Sequence, residues 1–111
     1  MLVVRRKIPV DPDRWELARE HVRNLVDCAR EQAAGSVRYE AVGDLTEPNF
    51  LRFFEQYEDA AAGAHQESVA YRRFVEALPT FAGGEIETIQ FEAEDVHAAS
   101  FTAPEAVDAL E

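Results

Sequence analysis

From Leu2 to Val10 apolar and polar side chains alternate, with Leu2, Val4, Ile8 and Val10 on one side and Val3, Arg5, Lys7 and Pro9 on the other. That period of two predicts a strand, interrupted on its apolar side by Arg6 and confined by Pro9 to an edge or strand end. Asp11-Pro12-Asp13 marks a turn, and Asp13 with Glu16 three residues later reads as a capping box opening a helix to about Ala33. Trp15, Ala18, Val22, Leu25, Val26, Ala29 and Ala33 recur there at helical spacing, and Gly35 stops the run. A second strand covers Val37 to Val42, with Val37, Tyr39 and Ala41 opposite Arg38, Glu40 and Val42. The turn formers between Gly43 and Asn49 predict that the next strand, Phe50 to Tyr57, returns antiparallel. Helical spacing resumes as a short helix near Ala60 to His65 and a longer one near Val69 to Phe81, broken around Glu67-Ser68 and ended by Gly83-Gly84. Glu85 to Phe91 supplies a fourth strand, with Ile89 and Phe91 on one face and Ile86, Thr88 and Gln90 on the other. Thr102 to Leu110 forms a short terminal helix.

The order β-α-β-β-α-β is that of an α+β, ferredoxin-like sandwich with both helices on one side of the sheet. The density of Phe50, Phe53, Phe54 and Tyr57 on one strand implies that both of its faces are covered. A single domain of 111 residues has little chain left for a second layer, so a second copy is the expected cover, and a homodimer is predicted.

Lys and Arg total 11 against 22 Asp and Glu, with Lys7 the single lysine, for a formal charge of −11. Such a surface repels phosphate backbones and anionic bilayers, so neither nucleic acid nor membrane is an expected partner. Leu2-Val3-Val4 runs straight into Arg5-Arg6-Lys7, which is neither a signal-peptide core nor a membrane span, and a cytoplasmic location follows as the expectation. Cys28, the sole cysteine, excludes an internal disulfide and reads as a semi-buried helix residue. His21, His65 and His97 share no ligand spacing, no glycine-rich phosphate loop is visible, and no metal or cofactor is expected.

The chemistry-bearing stretch runs from Glu55-Gln56-Tyr57-Glu58-Asp59 through His65 and Ser68 to Tyr71-Arg72-Arg73-Phe74. His65 can take a proton near neutrality, or can cap the helix break. Tyr57 and Tyr71 can orient a ligand through their hydroxyls, or serve as core. Phe53, Phe54 and Phe74 are candidate walls for a small aromatic ligand, and Arg72 can receive a substrate anion or pair with surface acids.

This stretch, with the element order, the Val10-Asp11-Pro12 turn, Gly35-Ser36-Val37-Arg38-Tyr39-Glu40 and Asn49-Phe50, resembles the antibiotic biosynthesis monooxygenase-like family of dimeric α+β barrels. The resemblance covers residues 1–92 and leaves 93–111 as an acidic extension, expected to hold a short helix or a dimer arm. It implies a sheet facing its copy across a dimer, a pocket between sheet and helices, and cofactor-free oxidation of a phenol or hydroquinone to a quinone. It casts His65 as base, with Tyr57 and Tyr71 as orienting groups. Tyr57 stands where the family commonly has tryptophan. Phe53 stands nearest the third-strand asparagine of relatives that oxidise polycyclic phenols, and Ala70 replaces a second histidine. The haem-degrading branch has asparagine and histidine where Arg6 and Phe74-Val75 stand, so haem degradation is not expected. A non-catalytic ligand-binding or structural dimer, and a non-oxidative isomerase or cyclase using the same histidine, are the alternatives.

Overall fold

The computed structural model describes residues 1–31, 36–58, 68–94 and 96–109. Their elements are β1 (Leu2–Pro9), α1 (Trp15–Glu31), β2 (Ser36–Gly43), β3 (Phe50–Tyr57), α2 (Val69–Phe81), β4 (Glu87–Glu92) and α3 (Ala103–Ala109). The strands form one sheet in the order β2-β3-β1-β4, every neighbour antiparallel. This is the expected α+β architecture. The expected short helix at 60–65 lies outside the described residues.

Alternation in β1 places Val4 and Ile8 in the core, with Val10 just beyond the strand end and Leu2 packed against the cluster. From α1 come Ala18, Leu25 and Ala29, with Trp15, Val22 and Val26 partly buried beside them, as the helical spacing predicts. Phe74 and Phe81 of α2 join the same cluster, so both long helices cover one face of the sheet. Alanine at 18 and 29 keeps α1 close to the strands.

The helix start differs from the expected capping box. Asp11 accepts a hydrogen bond from Asp13 N–H at 3.1 Å and caps a 3-10 turn, Pro12–Arg14, which runs into α1. Pro12 has no N–H to leave unsatisfied and its fixed φ suits a first turn, so the chain begins to coil before Asp13. The β2–β3 hairpin is held by Asp44, whose Oδ1 accepts from the N–H groups of Thr46 (2.8 Å) and Glu47 (2.9 Å), while Arg52 pairs with its other oxygen. Asn49 turns the chain at φ 69° and accepts the Trp15 indole N–H at 2.9 Å.

Ser68 caps α2, its hydroxyl accepting from Tyr71 N–H at 3.1 Å. The helix ends at Phe81, before the glycine pair, and Ala82 makes an isolated bridge with Val10. Gly83 instead permits close approach: a Cβ there would sit 3.3 Å from the Asp11 nitrogen. β4 starts two residues later than predicted. Its Ile89 and Phe91 do share one face, opposite Arg5 and Val3 respectively, and both stay about half exposed on the side away from the helices.

Candidate functional site

Two charged residues interrupt the apolar face that the sheet turns to the helices. Arg6 follows Val4 on β1, and Glu55 lies between Phe53 and Tyr57 on β3. The register pairs Val4 with Glu55 and Arg6 with Phe53, which makes Arg6 and Glu55 diagonal neighbours on one face. Arg6 Nε lies 3.6 Å from Glu55 Oε2, with the carboxylate wholly buried and the arginine side chain 16% exposed. The Arg6 Nη1 donates to Tyr71 Oη at 3.3 Å, and its guanidinium carbon sits 5.6 Å from the Tyr71 ring centre. Tyr57 donates its hydroxyl to Glu55 Oε1, and Tyr39 on β2 sits directly opposite Glu55.

Burial fixes the protonation logic of this cluster. It pushes the Glu55 carboxyl above its ordinary range, against the opposing pull of Arg6 and the Tyr57 hydrogen bond. For Arg6, burial works to lower the value, but Glu55 and then Tyr71 outweigh it and the group is raised, so the guanidinium stays charged. Tyr39 and Tyr57 are raised by burial first and by the Glu55 charge next, which keeps both phenols protonated. Among the described residues Arg6 Nε is buried without a hydrogen bond, because the 3.6 Å to Glu55 is too long for one. A fixed cation with an N–H outside any hydrogen bond among the described residues therefore lies beside a carboxyl whose proton affinity burial raises. Such a pair can stabilise an oxyanion and exchange a proton with it.

The residues singled out from sequence separate into groups. Tyr57, Phe53 and Phe74 are buried in one core, where the Phe53 and Phe74 ring centres are 5.7 Å apart. Tyr71 is half-buried beside Arg6. Phe54 does not complete a wall with Phe53 and Phe74. The period of two turns it to the opposite sheet face, where it lines a shallow cavity of about 250 Å³ with Arg5, Arg52 and Ile89. Arg72 is exposed on α2 and is not among the groups that meet Arg6, because the helix turns it about 100° from Tyr71. His65 lies outside the described residues. Arg6 and Tyr39 are members that the sequence gives no site role, and Glu55, which opens the chemistry-bearing stretch, is given none there either.

The fold and this cluster define a small ferredoxin-like α+β domain with a polar site in its helix–sheet layer. The sequence matches the model for antibiotic biosynthesis monooxygenases over residues 1–77, and the chain belongs to that family. A crystal structure described as an antibiotic biosynthesis monooxygenase superposes with a TM-score of 0.77 at 22% identity, over 86% of this chain and 100% of that one. The Pseudomonas aeruginosa protein PA3566 gives 0.74 at 23% identity, over 85% and 94% of the two chains. Rv0793 from Mycobacterium tuberculosis gives 0.77 at 16% identity, over 87% and 98%. These likenesses are of fold. No curated protein matches the chain. Among the described residues no helix is long and apolar enough to cross a membrane.

Proposed function

We propose that the protein is a cofactor-independent monooxygenase that converts a small aromatic phenol or hydroquinone to a quinone. The observation that carries this reading is Arg6 Nε, buried and, among the described residues, without a hydrogen bond beside Glu55, in a layer that also holds Tyr39, Phe53, Tyr57 and Phe74. A phenol entering there meets a cation that favours its phenolate, and an electron-rich phenolate reacts with oxygen without a prosthetic group. For a phenol, one oxygen atom adds to the ring and the other leaves as water with the phenolic and ring hydrogens, so the ring supplies all four electrons. Arg6 holds the phenolate oxygen, Tyr71 orients it through the same guanidinium, and His65 accepts the departing proton. Phe53 and Phe74, packed against each other, back the ring on one side.

The active unit in this proposal is a homodimer joined through the sheet face that carries Val3, Phe54, Ile89 and Phe91. Ile89 and Phe91 are half exposed there, an uncovered apolar surface that a second copy would bury.

A second reading, a ligand-binding or structural dimer without catalysis, draws on the tight packing of Tyr57, Phe53 and Phe74, which leaves these side chains 2–4% exposed. Oxygen uptake across a panel of monocyclic and naphthalene phenols separates the two. Uptake matched by quinone absorbance, and lost in Arg6→Gln, supports the monooxygenase. Saturable phenol binding with no uptake would reject it in favour of the binding protein. Product isomerised without oxygen would point to an isomerase or cyclase.

A further inference from the structure

The outward-facing stripe of α1 borders a second cleft, none of whose lining residues belongs to the Arg6–Glu55 cluster. A cleft of about 630 Å³ runs between this helix and the edge strand β2, floored by Trp15, Val22, Val26 and Leu51. Its volume falls in the range of small-molecule sites. Arg19, Arg23 and Arg30 line it, and at 100° per residue these positions fall within about 40° of one another on the helix. Asp27 is the one acidic lining residue, which leaves three positive charges against one negative in a chain whose formal charge is −11.

Acids outnumber bases twofold in this sequence, yet among the described residues none of these arginines has a carboxylate within ion-pair distance. Three like charges on one stripe repel each other, and an incoming anion relieves that repulsion. The floor beneath them is apolar, and the Trp15 indole is held by its hydrogen bond to Asn49, so one wall is already ordered before anything binds. An inorganic anion would leave the floor uncovered, whereas a neutral hydrocarbon would leave the arginines unanswered. We infer that this cleft binds a small amphiphile with a single carboxylate head, its chain lying on Trp15, Val22, Val26 and Leu51 and its head on Arg19 and Arg23. This inference is independent of the oxygenase reading.

Trp15 is the sole tryptophan, so its emission reports the cleft directly. The full chain is titrated with decanoate below its micelle-forming concentration, with decanol and decyltrimethylammonium as head-group controls. The expected result is a saturable change with decanoate, at least tenfold weaker binding of either control, and at least tenfold weaker decanoate binding in Arg19→Gln/Arg23→Gln. Arg19→Lys/Arg23→Lys, which keeps the charge, recovers part of that loss. Decanol binding as tightly as decanoate overturns the proposal, as does a flat titration by both emission and calorimetry. Co-sedimentation with phosphatidylglycerol vesicles in the absence of a decanoate response would assign the arginines to a lipid surface and also overturn it.

Discussion

Replacing Arg6 with methionine removes the cation from the helix–sheet layer while keeping an unbranched side chain, and leaves the Glu55 carboxylate buried without it. At 3.6 Å and an effective dielectric constant near 20 the pair attraction is roughly 4–5 kcal/mol, an upper bound because Arg6 retains some solvent contact. The loss has a second ceiling, since Glu55 can escape by taking a proton. From an ordinary value of 4.5, protonation costs about 4 kcal/mol at pH 7.5 and about 0.7 kcal/mol at pH 5. The expected destabilisation is therefore about 3 kcal/mol at pH 7.5 and under about 1 kcal/mol at pH 5, read from urea unfolding at both pH values. The direction follows from linkage. A carboxyl raised in the folded state holds its proton to higher pH than in the unfolded chain, so its contribution is complete below about pH 4.5 and is lost as pH rises through the folded value. Removing Arg6 raises Glu55 further and widens that window upward. Glu55→Gln removes this component of the slope, and Arg6→Met/Glu55→Gln recovers most of the stability lost in Arg6→Met. A destabilisation equal at both pH values, or a double variant no more stable than the single one, would refute the coupling.

Tyr71→Phe deletes the hydroxyl that accepts from Arg6. It should cost about 0.5–1.5 kcal/mol in unfolding experiments and raise the KM for a phenol more than it lowers kcat; an unchanged KM would remove Tyr71 from the site. Phe74→Ala opens a void against Phe53 and Phe81 and should cost about 3–5 kcal/mol by urea denaturation. A cost below about 1 kcal/mol would show that the layer is loosely packed. Light scattering over a concentration series should give twice the 12.5 kDa chain mass, whereas a stable monomer would leave Ile89 and Phe91 uncovered and reject the dimer. His65→Ala should abolish quinone formation with the melting transition unchanged; full activity would discard it as the base.

Most of the fold was legible because its elements follow simple periods. The β1 alternation and the stripe from Trp15 to Ala29 in α1 place on the inner side the residues that form or pack against the helix–sheet core, while Val3 is buried on the opposite sheet face. The start of α1 was missed because proline and Asp11 supply a cap two residues earlier than the Asp13–Glu16 pattern suggests. The centre of the site was present in the sequence as two irregularities, Arg6 on an apolar strand face and Glu55 between Phe53 and Tyr57. Each looks like a local defect when read alone. Only the register that sets Val4 against Glu55 and Arg6 against Phe53 makes them neighbours, and pairing between strands distant in the chain cannot be read from either strand's own pattern. Phe54 sits on the sheet face away from Phe74 for the complementary reason, since Phe53 and Phe54 are adjacent on one strand and point to opposite faces.

The most direct test of the account is mass spectrometry of the quinone formed under 18O2 from a phenol that the wild type consumes, with chelator-treated protein and Arg6→Gln in parallel. The account predicts one labelled oxygen atom per quinone in the wild type, undiminished by chelator, and at least a hundredfold slower label incorporation in Arg6→Gln. Unlabelled quinone, or equal label incorporation in the two proteins, would contradict a monooxygenase centred on Arg6.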